Sequence, residues 1–186
     1  MHEAALEAQE FTKKIWQEYQ NYVEKTLCLA TITGQKSEKE KFAGAIKTYT
    51  VECLLPDGQC LQLATSHYFG DSFCRSMNVK FQGKQQSKEE QLQYPFSTSW
   101  GTSTRAIGAL ALSHVDSLGL ILPFDIAPVQ IAFILTGEIE GLVNYYREIV
   151  DMLGNIYRCR LYNNHKQVSV NFSQADKEGC PLKIVL

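Results

Sequence analysis

Residues 62–70 read Gln62-Leu63-Ala64-Thr65-Ser66-His67-Tyr68-Phe69-Gly70, a strand-forming stretch that carries polar side chains where a buried strand should be apolar. A second string of this kind, Ser99-Trp100-Gly101, runs into Thr104-Arg105 further along the chain. A polar group that is removed from water without a partner costs about 1 to 3 kcal/mol. Because a bound ligand would supply the missing partners, both strings are candidate parts of a ligand site.

The first string is the return strand of a predicted β-hairpin. Residues 46–54 have the composition of a strand, Pro56-Asp57-Gly58 is a turn sequence, and residues 60–67 return antiparallel. Strict alternation would place Gln62 and Ala64 on one face with Ser66, and Leu63, Thr65 and His67 on the other. Both faces are mixed, so alternation leaves open which of them binds a ligand.

The segment before the hairpin predicts a helix, a strand and a loop. Residues 3–26 carry apolar side chains at the spacing of one buried helix stripe, and residues 27–32 are typical of a short strand. The stripe comprises Ala4, Ala8, Phe11, Ile15, Tyr19, Tyr22 and Val23. A charged run at 37–41 then leads into Phe42-Ala43-Gly44-Ala45, small residues that would let a backbone approach a ligand. We expect this loop to lead into the site.

Arg105 occupies an unusual position in the second string. Residues 94–100 predict a strand, Thr102 or Ser103 can cap the helix that follows, and that helix has a buried stripe. The stripe comprises Ala106, Ile107, Leu110 and Ala111. A cation in the first turn of a helix gains nothing from the helix dipole, which favours anions there. The position of Arg105 is explained if an anion such as a phosphate lies beside both the guanidinium and the N-terminus of the helix.

The remaining segments predict a mixed fold with two parts. Residues 68–77 predict a short helix, 79–81 a brief strand and 83–91 an exposed polar linker. Residues 118–122, 129–135, 157–162 and 182–186 predict strands, and 142–153 predicts a helix. Two prolines bracket a connector at 123–128, which is typical of a domain boundary. We therefore expect an α/β (α+β) protein with an antiparallel sheet flanked by helices at 1–125 and part of a small mixed α/β domain at 126–186.

Composition excludes several classes of protein. The 186 residues are 45% hydrophobic and carry a formal charge of −2, so bulk charge gives no argument for nucleic-acid binding, although a local basic face stays possible. No secretory signal and no membrane span are predicted. The six cysteines lack metal-ligand spacing, which favours reduced core thiols and no metal site. A cytoplasmic protein is expected.

Several ordered motifs together resemble prolyl-tRNA synthetase, a class II aminoacyl-tRNA synthetase. They are Glu38-Lys39-Glu40-Lys41-Phe42-Ala43-Gly44, Thr65-Ser66-His67-Tyr68-Phe69-Gly70, Ser99-Trp100-Gly101-Thr102-Ser103-Thr104-Arg105-Ala106-Ile107-Gly108, and Gly119-Leu120-Ile121-Leu122-Pro123 followed by Ala127-Pro128-Val129-Gln130. The resemblance covers nearly the whole chain, from the end of the family's second motif into its anticodon-binding domain. It implies a class II synthetase-like sheet followed by part of an anticodon-binding-like domain.

The resemblance also implies an activity and a set of site residues. The family activates proline with ATP, with Mg²⁺ present, and transfers the proline to its tRNA; the parent enzyme is expected to be a homodimer. Arg105 then resembles the catalytic arginine that holds the ATP phosphates. Gln62 and Thr65 resemble nucleotide-binding residues. The proline pocket would be formed by Phe42, His67, Ser99 and Trp100, and Glu52 could help hold magnesium.

Each of these residues also has a purely structural interpretation. His67 could be a hydrogen-bonded structural histidine, Phe42 and Trp100 could be core residues, and Arg105 could pack its stem on the sheet. At the level of function, a non-catalytic synthetase-like binding or scaffold module is the main alternative. A threonine-specific relative is another, although it would be expected to hold zinc and no Cys/His spacing here suggests such a site.

The chain departs from the family pattern in ways that set further expectations. It is expected to lack the first motif and the arginine of the second, so that the isolated polypeptide would bind ATP and proline weakly and be inactive. His2 would be a remnant of the family's histidine after that second motif. The short segment 84–91 leaves no room for an editing insertion, and Asp125 replaces a basic linker residue.

Overall fold

The computed structural model describes residues 1–83, 92–137, 140–153, 156–164 and 167–186. These residues form two compact units, Met1–Leu110 and Ala111–Leu186. The domain boundary expected at 125/126 stays a prediction. No helix within the described ranges has both the length and the apolar composition needed to cross a membrane.

The first unit is built on a four-stranded antiparallel sheet of order β1-β2-β3-β6. The strands are β1 (Thr31–Gln35), β2 (Lys47–Leu54), β3 (Cys60–Gly70) and β6 (Ser97–Thr102). The predicted hairpin is confirmed as β2 and β3. Its turn is closed by a hydrogen bond from the Gly58 amide to the Leu55 carbonyl at 2.9 Å, and Gly58 has a φ of +83°, which a residue without a Cβ adopts readily.

One face of this sheet is covered by the N-terminal helix. The predicted helix is confirmed as α1 (Ala5–Asn21), which continues into a π-helical turn, Tyr22–Thr26. Trp16 stacks on Tyr49 with ring centroids 4.9 Å apart, and the buried Ser66 hydroxyl donates to the Thr12 carbonyl at 2.8 Å. The helix is thus held by both ring packing and a buried hydrogen bond.

Short elements complete the first unit. They are α2 (Ser72–Ser76), β4 (Phe81–Gln82), β5 (Leu92–Gln93), which pairs with β4, and the first part of α3 (Arg105–Ser113). Ala109 is the buried residue of α3, whereas Ile107 is 67% exposed, so the expected burial of Ile107 is wrong. Most of the predicted polar linker, residues 84–91, lies outside the described residues.

The second unit is a three-stranded parallel sheet of order β8-β7-β9 with helices α4 and α5. The elements are β7 (Ile131–Ile134), α4 (Glu140–Met152), β8 (Cys159–Tyr162), α5 (Val168–Lys177) and β9 (Leu182–Val185). All four residues of the central strand β7 are buried, as expected for a parallel strand covered on both faces. Helix α5 was not predicted from the sequence. The strand predicted at 118–122 is wrong, because that segment has only an isolated bridge from Leu120 to Val115.

Candidate active site

The face of the first sheet opposite α1 carries a row of polar side chains. On β2 and β3 the cross-strand pairs Thr48–His67 and Thr50–Thr65 alternate with the pairs Tyr49–Ser66 and Val51–Ala64. Cross-strand partners share a face, and neighbours along a strand point to opposite faces. Tyr49 and Ser66 contact α1. We therefore call Tyr49, Val51, Ala64 and Ser66 the helix face, and Thr48, Thr50, Thr65 and His67 the polar face.

A β-bulge corrects the alternation expected for Gln62. Val51 pairs with Ala64, but the next residue, Glu52, pairs with Gln62, so Leu63 is an extra residue in β3. The bulge shifts the phase of the strand by one residue. Gln62 therefore lines the same cavity as Thr65 and His67, whereas strict alternation would place it on the opposite face.

This cavity lies over β3, β6 and the start of α3 and has a volume of about 400 Å³. Six of the seven predicted site residues line it, together with several neighbours. The lining comprises Gln62, Leu63, Ala64, Thr65, His67, Ser99, Trp100, Gly101, Thr102, Ser103 and Arg105. A volume of this size falls in the range of small-molecule sites. The structure thus brings together residues that are distant in sequence.

His67 is held in a polar network at the cavity wall. Its Nδ1 atom lies 2.9 Å from the Thr48 hydroxyl. Burial, and secondarily the positive charge of Lys36, lower the pKa of His67 below its ordinary value. The imidazole is therefore neutral around pH 7 and can offer one donor and one acceptor.

Lys36 links Gln62 to Glu52. Its ammonium donates to the Gln62 side-chain oxygen and lies 3.8 Å from Glu52 Oε1, which also accepts a hydrogen bond from the Thr50 hydroxyl at 3.1 Å. The amide oxygen of Gln62 is engaged by Lys36, and among the described residues no partner of its amide NH₂ is found, so this group can donate to a ligand. Sequence reasoning missed Lys36, which precedes the expected charged run.

Arg105 lies where the cavity meets the first turn of α3. Its backbone amide donates to the Ser103 hydroxyl at 3.3 Å, although Thr104 and not Ser103 directly precedes the helix. The Arg105 side chain lines the cavity and is exposed. Within the described part of the chain no carboxylate lies within ion-pair distance of its guanidinium. A free cation in this position suits a phosphate or carboxylate ligand.

Phe42 lies beside the cavity without lining it. The residue is 54% exposed, and its ring centroid lies 5.1 Å from that of the His67 imidazole and 5.8 Å from that of the Phe69 ring. The nearby Gly44 has a φ of +86°, and a Cβ there would come within 2.9 Å of the Phe73 ring. The lack of a side chain at Gly44 therefore makes room for the Phe73 ring. This contact gives no support to the expectation that the glycine lets a ligand approach the backbone.

Trp100 is part of the cavity lining, but its indole packs towards α1. Its cross-strand partner is Ser66, a helix-face residue, and its indole packs edge-on against Phe11 of α1 with centroids 5.2 Å apart. The indole therefore lies on the side of the sheet opposite His67. Ser99 pairs with His67 and is on the polar face, because the side chains of neighbouring residues in one strand point to opposite faces.

Gly101 is a cavity residue that sequence reasoning missed. It pairs with Thr65, and a Cβ placed on it would meet no atom within 4 Å. The absence of a side chain therefore keeps the space above Thr65 open. The sequence could have indicated this position, because alternation along the strand places Gly101 on the same face as Ser99, a predicted site residue.

The site offers no resident metal centre among the described residues, where no group of three or more His, Cys, Asp and Glu side chains could hold an ion. Glu52, the carboxylate considered for magnesium, is already engaged by Lys36 and Thr50. Its donor set therefore does not fit a magnesium ion held by the protein alone.

Comparisons with known proteins agree on one class. No protein-family model matches the chain. A proline--tRNA ligase of Mesoplasma florum is 42% identical over 184 residues, which are 99% of this chain and 38% of the relative. A proline--tRNA ligase of Ruminiclostridium cellulolyticum is 41% identical over 98% of this chain and 38% of its own length. The crystal structure of prolyl-tRNA synthetase from Cryptosporidium parvum, complexed with L-proline and AMP, superposes with a TM-score of 0.84 at 30% identity, over 100% of this chain and 40% of that one.

Fold and sequence together show that the chain is similar to aminoacyl-tRNA synthetases. Within that class its similarity is to prolyl-tRNA synthetases, over nearly the whole of this chain. The chain spans about two fifths of the length of the curated relatives it matches.

Proposed function

We propose that this chain forms the part of a prolyl-tRNA synthetase that faces the ATP phosphates and the amino acid. The observation that supports the proposal is that Gln62, Thr65, His67, Ser99 and Arg105 line one cavity. The relatives that are similar to the chain are proline--tRNA ligases, and one similar structure has proline and AMP bound. A cavity lined by both a guanidinium and an imidazole suits a ligand with a phosphate and a small ring.

The proposed reaction of the whole enzyme has two steps. A carboxylate oxygen of proline attacks the α-phosphorus of ATP, the bond between the α- and β-phosphates breaks, and pyrophosphate leaves. A hydroxyl of the terminal adenosine of tRNA then attacks the carbonyl carbon, and AMP leaves. Both steps depend on positioning and charge stabilisation.

Each cavity residue has a role in this proposal. Arg105 pairs with the phosphates of ATP through charge-assisted hydrogen bonds. Gln62 and Thr65 face the nucleotide and the activated carboxyl group. His67 and Ser99, with Phe42 at the entrance, face proline, while Trp100 supports β6 from the other side of the sheet by packing on Phe11.

Other features of the whole enzyme follow from the family resemblance. We take it to be a class II synthetase that acts as a homodimer in the cytoplasm on the tRNA for proline. Magnesium would enter with ATP, held mainly by the phosphates, because the Glu52 carboxylate is already engaged.

The test is a binding experiment, because the chain spans only part of its relatives. The ¹⁵N-labelled chain is titrated with a non-hydrolysable prolyl-adenylate analogue, and amide shifts are expected at Thr65, His67, Ser99 and Gly101. The corresponding threonyl analogue should produce smaller shifts. Because the isolated chain is expected to bind weakly, the titration extends to a large excess of analogue, where amide shifts still report weak binding. A folded chain whose polar-face amides respond to neither analogue under these conditions would instead support a non-catalytic scaffold module.

A pair of arginine variants sharpens the test. Arg105→Ala should weaken ATP binding about 10- to 100-fold, since hydrogen bonds to charged groups contribute roughly 1.5 to 3 kcal/mol. Arg75→Ala is the matched control, because Arg75 is also exposed but pairs with Asp71 at 2.7 Å and does not line the cavity. Equal loss in both variants would contradict the assignment of Arg105.

A further inference from the structure

Thr48 has a buried hydroxyl with two partners. The Phe42 amide donates to its oxygen at 3.2 Å, and His67 Nδ1 lies 2.9 Å from the same oxygen. Thr48 is 1% exposed, so water does not reach it to replace either partner. The residue contributes no atom to the cavity lining.

The proton positions follow from counting donors and acceptors. A threonine hydroxyl has one proton to donate and two lone pairs. Because the Phe42 amide uses one lone pair, His67 Nδ1 either accepts the hydroxyl proton or donates to the second lone pair. In the second case the hydroxyl proton would lack an acceptor in a buried place, at a cost of about 1 to 3 kcal/mol. The first arrangement satisfies all three groups.

We propose that Thr48 is a positioning residue: its hydroxyl, fixed by the Phe42 amide, donates its proton to His67 Nδ1 and so presents the Nε2–H group of the imidazole to the cavity as a hydrogen-bond donor. Among the described residues no hydrogen-bond partner of Nε2 is found, so this donor is available to a ligand. The lowered pKa of His67 agrees with an imidazole kept neutral.

The proposal selects the ligand group that His67 recognises. A fixed N–H donor binds an acceptor and repels a second donor. Resting on the proposed function, this means that Nε2–H meets a carboxyl or carbonyl oxygen of proline or of its adenylate. The secondary ammonium group of proline carries only donors and must be recognised elsewhere.

The test reads the imidazole directly by long-range ¹H–¹⁵N correlation NMR on the chain, at a pH above the ordinary pKa of histidine. In the unaltered chain, His67 should show a protonated Nε2 and a hydrogen-bonded, unprotonated Nδ1. A protonated Nδ1 would overturn the proposal.

Three variants test whether the Thr48 hydroxyl itself, and not a general change in the sheet, determines the state of His67 Nδ1. Thr48→Val keeps the shape and removes the hydroxyl, so the Nδ1 resonance should move to that of a free acceptor and the pKa of His67 should rise. Thr48→Ser should restore the original Nδ1 resonance and also controls for misfolding of the valine variant. Thr50→Val is the matched control, since Thr50 lies on the same face of β2 but donates to Glu52. An unchanged Nδ1 resonance in Thr48→Val, or an equal change in Thr50→Val, would also overturn the proposal.

A final measurement separates the two proposals. If the chain binds the prolyl-adenylate analogue, Thr48→Val should weaken that binding about fivefold, as expected for one neutral hydrogen bond. If the NMR results are as expected and the analogue does not bind, the proposed function fails and the role of Thr48 stands.

Discussion

The helix face and the polar face of the first sheet use the same two strands for different purposes. On the helix face, side chains contact α1, as in the stacked rings of Trp16 and Tyr49 and the Ser66 to Thr12 hydrogen bond. On the polar face, side chains contact one another, as in Thr48 with His67 and Thr50 with Glu52. The difference indicates that alternate residues of one strand have different roles: those on the helix face stabilise the fold, and those on the polar face form the candidate ligand site.

If this separation is real, equivalent substitutions on the two sides of the sheet must have unequal effects on stability. A substitution on the helix side should lower the free energy of unfolding. A substitution of an exposed residue on the polar side should leave it nearly unchanged and alter the cavity. Four predictions test this, in order of decreasing effect.

The largest effect is expected for an aromatic residue on the helix side. Trp16→Ala removes a ring that stacks on Tyr49 and donates to the Thr50 carbonyl at 3.0 Å, and should lower the free energy of unfolding by about 3 kcal/mol. Phe42→Ala, on the exposed loop of the other side, should cost less than about 1 kcal/mol. Urea unfolding followed by circular dichroism measures both. Similar losses in the two variants would remove the distinction between the faces.

A smaller effect is expected from a pair of serines. Ser66→Ala removes a buried hydroxyl that donates to Thr12 and should cost about 1 kcal/mol. Ser99→Ala alters an exposed residue at the cavity and should stay within about 0.5 kcal/mol of the unaltered chain. The same urea measurement applies, and a larger loss for Ser99 would contradict the prediction.

A gain in stability is expected at Gly101. Gly101→Ala adds a methyl group that meets no atom within 4 Å and restricts the unfolded chain, so stability should rise by about 0.5 kcal/mol. The methyl group should at the same time reduce the space above Thr65. Binding of the prolyl-adenylate analogue should weaken while the thermal midpoint rises. Loss of stability with unchanged binding would show that Gly101 is a structural position.

The smallest effect is a pH dependence from His67. Burial and the Lys36 charge lower its pKa in the folded chain, so the unfolded chain takes up this proton first as the pH falls. The contribution to stability is therefore present above the ordinary pKa of about 6.5 and is lost as the pH falls below it. Lys36→Met should raise the pKa of His67, measured by NMR titration.

Lys80→Met is the control for this titration. Lys80 is exposed and lies over the Tyr94 ring, so its removal should leave the pKa of His67 unchanged. A lower pKa of His67 in Lys36→Met would show that the sign of the electrostatic effect is wrong.

The sequence predicted the hairpin and the N-terminal helix, because turn residues and helical spacing are local signals. The cavity residues were predicted only through the resemblance to a known family, because no local pattern shows that these distant positions meet. Sequence reasoning placed Gln62 on the wrong face, since a bulge at Leu63 depends on how β2 and β3 pair and is invisible in one strand alone. It missed α5, whose Val168 and Val170 resemble strand residues. Adjacency in the strand already predicts that the side chains of Ser99 and Trp100 point to opposite faces, in agreement with the packing of the indole on Phe11.

One oxygen atom, that of the Thr48 hydroxyl, joins the loop that carries Phe42 to the imidazole of His67. If the loop lifts, the Phe42 amide leaves this oxygen and the hydroxyl regains its freedom to rotate. Which nitrogen of the imidazole carries the proton then depends on the position of the loop. A spectroscopic signal from a single ring nitrogen would therefore report the position of the loop that carries Phe42.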